Sequence, residues 1–147
     1  MPYNLRVPSA AALLLTALAT PALAGPQQAI SNHPVDDLFW ETTEEGVAFA
    51  PLIGDRMIDP YMAMVRLPAG LVSPPHVKTA NMFGVVISGT ITHNAVDADP
   101  SQETLLPEGS FYKVPAGLPH VSKCVSETDC VTFLYQDGKF DFLPVKQ

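Results

Sequence analysis

Beyond residue 24 the chain never sustains a 3.6-residue apolar period long enough for a major helix. It breaks instead into short apolar or alternating runs, set roughly 8–12 residues apart and separated by turn-forming residues. Residues 38–41, 46–53, 61–67 and 83–93 are such runs, followed by TLLP, FYKV, HVSKC, CVTFLY and KFDFLPV. With 15 prolines and 9 glycines in 147 residues, long helices are disfavoured throughout. The pattern predicts an all-β, antiparallel sandwich or barrel of about six to eleven strands, in one domain. Ser88-Gly89 interrupts the run at 83–93 and predicts a two-residue hairpin turn there.

The first 24 residues follow a different rule. Arg6 and the amino terminus are followed by SAAALLLTALAT, the length of a signal-peptide apolar region and too short to span a bilayer. Pro21 and the small residues Ala22-Leu23-Ala24 then predict cleavage between Ala24 and Gly25. The expected organisation is a signal peptide at 1–24, a polar flexible arm at 25–37 and a folded domain at 38–147. The expected location is the periplasm or the exterior, with no membrane partner after cleavage. A formal net charge of −7 argues against nucleic acid as a partner. Cys124 and Cys130 are the only cysteines, an even pair in an oxidising compartment. Their flanks, HVSKC and CVTFLY, predict a hairpin closed by a disulfide.

Two segments carry the chemistry. In the first, Gly70 precedes His76 by five intervening residues, and Lys78, Met82 and Gly89 follow. In the second, GSFYKVPAGLPHVSKC, Gly109 is followed by Pro115, Gly117 and His120. The second resembles the second conserved motif of the cupin superfamily at every position but the last, where Cys124 replaces asparagine. The first resembles the first cupin motif in its glycines and first histidine. The resemblance extends to the small, exported, uncharacterised single-domain cupins and, more distantly, to the cupin domain of a zinc-dependent anti-sigma factor. It implies a double-stranded β-helix, or jelly-roll barrel, with a ligand in its mouth, and a homodimer. The motif glycines would permit turns, and Pro115 and Gly117 would shape the loop that delivers His120.

In metal-binding cupins two histidines and a glutamate of the first motif join the histidine of the second. Here Lys78 stands at the second histidine and Met82 at the glutamate. His76 and His120 remain. His93 could repair the set: across a Ser88-Gly89 hairpin it would oppose Gly84 and share the inward face of Met82 and Val86. A one-residue slip would send it to solvent. Asn81 is a weaker substitute ligand. The resemblance therefore implies at most one divalent metal ion, Zn, Fe, Mn, Ni or Cu, on a degenerate set of His76, His120 and His93. Lys78, Met82 and Asn81 are candidate ligand-binding residues. Lysine beside histidine suggests a small anionic molecule in the barrel. The alternatives are a metal-dependent dioxygenase on three histidines, a metal-free lyase or isomerase, and a barrel that binds nothing.

Overall fold

In the computed structural model, residues 29–145 are described. The signal-type segment at 1–24, its cleavage point and the first residues of the arm lie outside them. The unit that begins at Asn32 holds the features that follow.

Among the described residues ten strands run in chain order: β1 (Glu41–Thr42), β2 (Ala48–Ile53), β3 (Tyr61–Leu67), β4 (His76–Val77), β5 (Met82–Ser88), β6 (Ile91–Ala95), β7 (Phe111–Val114), β8 (His120–Cys124), β9 (Cys130–Gln136) and β10 (Leu143–Pro144). They form two antiparallel sheets. One has the order β1-β2-β3-β9-β5-β7 and the other β10-β4-β8-β6. This is the jelly-roll sandwich expected of a cupin.

Alternation builds the interior. Tyr61, Ala63 and Val65 of β3 are buried, as are Met82, Gly84 and Val86 of β5 and Thr132, Leu134 and Gln136 of β9. Successive side chains on a strand face opposite ways, so each strand gives one row to the core. Phe49, Tyr61, Met82, Ile91 and Leu134 belong to one cluster. Burying each such side chain stabilises the fold by roughly 1.5–3 kcal/mol. The four motif glycines, Gly70, Gly89, Gly109 and Gly117, all adopt positive φ.

Two local expectations need correction. Ser88-Gly89 does not close a hairpin: β5 pairs with β7 and β9, whereas β6 pairs with β8. A β-bulge between Val86 and Ser88 bends the strand out of its sheet. Gly89, at φ 80°, then carries the chain across to the other sheet. A Cβ on Gly89 would stand 2.9 Å from Cys130 Sγ, so both backbone and space demand glycine.

Likewise HVSKC and CVTFLY are not hairpin partners. β8 ends at Cys124 in one sheet and β9 begins at Cys130 in the other, and the Cys124–Cys130 disulfide joins the two sheets at that corner. Closing so short a loop stabilises the fold by about 2 kcal/mol in the chain-entropy account. Reduction is therefore expected to move the urea midpoint down by that equivalent. Equal midpoints with and without reductant, once free thiols have been verified, would remove the claim. Among the described residues no helix is long and apolar enough to cross a membrane.

Candidate functional site

Between the sheets lies a cavity of about 210 Å³. Most of its wall is apolar, with Phe49, Val65, Leu71, Met82, Ile91 and Leu134 among the lining residues. Glu45, which is exposed, marks the solvent end, beside Thr43 and Val47 of the β1–β2 turn. The polar wall comprises His76, Lys78, His93, Tyr112, Ser122 and Thr132.

The register of the smaller sheet gathers the histidines. His76 of β4 pairs directly with His120 of β8, and their ring centroids are 4.2 Å apart. His93 of β6 pairs with Ser122, two residues beyond His120 on the same face of β8. That pairing points His93 inward, as the three-histidine reading required, though through β8 rather than through a hairpin with β5. Its centroid lies 6.4 Å from that of His120 and 4.4 Å from the Tyr112 ring. His120 itself is fully buried behind this wall and does not line the cavity.

Hydrogen bonds determine which ring nitrogens carry protons. His76 Nδ1 lies 3.0 Å from the Pro74 carbonyl and His120 Nδ1 lies 2.9 Å from the Leu118 carbonyl. A carbonyl only accepts, so both Nδ1 atoms donate. Burial is the main cause that lowers the pKa of His76 to about 4, with His120 and Lys78 adding to it against the Pro74 bond. Burial likewise lowers His93 to about 3 and holds His120 below its ordinary value. All three are neutral at pH 7, and His76 and His120 present a bare Nε2. His93 Nδ1 meets Ser122 Oγ at 2.8 Å. The Nε2 atoms of His93 and His120 are buried without any hydrogen-bond partner, and so is Thr43 Oγ1 at the mouth.

Lys78 is 7% exposed. Its Nζ donates to the Asp141 carbonyl at 2.6 Å and lies 4.3 Å from the centre of the Phe140 ring. Burial lowers its pKa to about 8, with Asp141 opposing that shift. Thr79 grips the Asp141 carboxylate through its backbone N–H and its hydroxyl. The same C-terminal segment stacks Phe142 on His76, with centroids 4.1 Å apart. Phe140 and Phe142 thereby close one side of the cavity.

Met82 lines the cavity as a buried core residue. Asn81 does not reach it. Its amide donates to Asp137 and accepts from the Ala116 N–H, tying two loops together. Thr43, Tyr112, Phe140 and Phe142 were not singled out from sequence. Only the alternation Phe140-Asp141-Phe142 hinted that two aromatic rings share one face.

Residues 42–147 match the family described as "Domain of unknown function (DUF4437)". The chain belongs to the DUF4437 family. Solved structures show that this domain has the cupin fold. KdgF from Halomonas sp. is 18% identical, with a TM-score of 0.59 over 74% of this chain and 96% of its own. An RmlC-like cupin from Shewanella frigidimarina is 15% identical, with a TM-score of 0.58 over 76% and 95%. The polyketide cyclase RemF from Streptomyces resistomycificus is 15% identical, with a TM-score of 0.64 over 81% and 87%. No curated protein matches the chain.

The donor set of the DUF4437 domain has features for and against a resident metal. Two features favour one: Nδ1–H groups anchored on carbonyls, as metal-binding histidines commonly have, and unpartnered Nε2 atoms. Two oppose it. Among the described residues no three His, Cys, Asp or Glu side chains converge to hold an ion. The Lys78 ammonium shares the wall and repels a cation. As arranged, His76, His93 and His120 do not fit a resident divalent metal.

Proposed function

We propose that the DUF4437 domain binds a small, mainly apolar organic molecule that donates hydrogen bonds to the cavity histidines, and that it does so outside the cytoplasm. The observation that carries this reading is the buried, unpartnered Nε2 of His93 on the wall of an apolar cavity. A buried polar atom left without a partner destabilises a fold by roughly 1–3 kcal/mol, so a ligand that pairs with it binds at a prepared point. A hydroxyl suits the site: it donates to the bare Nε2 of His76 and accepts from His93 Nε2 where that nitrogen carries the proton, or donates to His93 where it does not. An ionised carboxylate fits less well, because it only accepts. Among the described lining residues Lys78 is the single lysine or arginine, and one of its N–H groups already goes to the Asp141 carbonyl. That shifts the expected ligand from an anion toward a hydroxylated, carbonyl-bearing molecule. The likeness to a polyketide cyclase supports small organic molecules as occupants of this fold. The disulfide supports an oxidising location.

A panel of small hydroxylated aromatic and aliphatic compounds, read by thermal shift and calorimetry, tests the reading. Binding is expected to weaken about ten-fold in His93→Phe, the equivalent of one lost hydrogen bond. A panel that binds wild type and His93→Phe equally would remove it. Bound metal in untagged protein, measured by plasma mass spectrometry, is expected well below one ion per chain. Near-stoichiometric metal, lost in both His76→Ala and His93→Ala, would restore the three-histidine site.

A further inference from the structure

Lys78 is the feature that hydrogen-bonded binding alone does not use. It occupies a motif position where a metal-binding cupin carries an imidazole, and it is almost wholly buried on the wall of the cavity. Nζ has no hydrogen bond to a carboxylate oxygen; the Asp141 carboxylate, held by Thr79, acts on it through charge alone. The partner of Nζ is a backbone carbonyl, and a phenylalanine ring covers one side. The Asp141 charge and the Phe140 face favour the ammonium, but burial outweighs them, so Lys78 gives up its proton more readily than a surface lysine. Once deprotonated, the amine still donates one N–H to Asp141 O and has its lone pair free for the cavity.

We infer that Lys78 forms an imine with an aldehyde or ketone ligand in this cavity. This rests on the reading of the cavity as a small-molecule site and names the reactive group of its ligand. The Lys78 nitrogen lone pair attacks the carbonyl carbon, and a C–N bond forms as the C=O π bond opens. One proton passes from nitrogen to oxygen to give the carbinolamine. The oxygen then leaves as water, taking with it the second hydrogen of the amine, and C=N remains. The step is a condensation that consumes one carbonyl compound and releases one water, with no change of oxidation state. His76 stands two residues away with an unprotonated Nε2, suited to carry the proton between nitrogen and oxygen. The hydrophobic wall excludes the bulk water that would hydrolyse the product.

The test uses the full chain, benzaldehyde as the probe and cyanoborohydride to reduce any imine to a stable amine. Peptide mapping then gives the rate at each lysine. Lys78 is expected to be alkylated at least about ten times faster than the surface residues Lys113 and Lys139, as a desolvated lysine should be. Benzyl alcohol, which has the ring and a hydroxyl but no carbonyl, is expected to slow Lys78 alone. Lys78→Arg is expected to lose the fast phase while keeping a cooperative thermal transition. Because the lysines are compared within wild-type protein, the result stands whether or not that variant folds. Alkylation of Lys78 no faster than Lys113 overturns the imine. If benzyl alcohol still stabilises the protein in that case, small-molecule binding survives and only the covalent step falls. If it does not, both readings fall.

Discussion

Acidification from pH 7 to pH 4 is expected to remove about 3–5 kcal/mol of stability through the three buried histidines. In the unfolded chain an imidazole titrates near 6.5, whereas in the fold His76 titrates near 4 and His93 near 3. Between those values the unfolded chain binds more protons than the native one. The contribution is thus fully present above pH 6.5 and is lost as pH falls toward the folded values. For His76 alone the shift corresponds to about 3 kcal/mol at its limit. The terms do not simply add, because His76 and His120 lie side by side and each charge opposes the next. The check is a set of urea titrations at half-unit steps from pH 7.5 to 4, with His93→Phe and His76→Phe alongside. Carboxylates also weaken many folds in acid, so the diagnostic is the difference: each variant should lose part of the slope. Parallel profiles for wild type and both variants would show that these imidazoles do not drive the transition.

Gly84→Ala is expected to destabilise the domain by about 3 kcal/mol, the upper end for overpacking a dense core. Gly84 faces inward on β5, flanked by β7 and β9. A Cβ there would overlap both the Cζ and the hydroxyl of Tyr112 and crowd the Phe133 carbonyl. The hydroxyl cannot retreat freely, because Tyr112 is buried against His93 and close to Thr132. That burial also pushes the Tyr112 pKa up to about 12, so the group stays neutral and costs the core no charge. Adding Tyr112→Phe to Gly84→Ala should recover part of the loss. The ring carbon Cζ and the Phe133 carbonyl both remain, so recovery should be incomplete. Wild-type stability in Gly84→Ala would mean that the Tyr112 ring is not held where the structure has it. Gly84 thus makes room for the ring that flanks His93, although it is not one of the fixed positions of the first cupin-like motif.

Much of this was legible in residues 70–124. A glycine that must adopt positive φ announces a turn wherever it stands, and Gly70, Gly89, Gly109 and Gly117 all do so. Alternation on β3, β5 and β9 announced which side chains face the core. Strand pairing was less legible. Ser88-Gly89 reads as a hairpin because a tight turn and a crossover between sheets use the same permissive residue. The bulge at Val86 and the packing against Cys130 decide between them, and Cys130 is 41 residues from Gly89 along the chain. His93 was placed inward through a pairing that does not exist. The answer survived because strand periodicity has only two outcomes, and β8 imposes the same one.

From its own order of residues the chain determined an all-β cupin sandwich, the corners where it turns and the two histidines at motif positions, because these depend on local backbone freedom and on a period of two. Tertiary structure alone decided the chemistry of the site. It set Asp141 and Phe140, more than 60 residues away, around Lys78, and it paired His76 with His120 across strands. It also gathered the apolar walls that keep the imidazoles neutral. Charge and reactivity in a buried site depend on solvent exclusion and on partners brought from distant strands, and neither is written in the spacing of neighbouring residues.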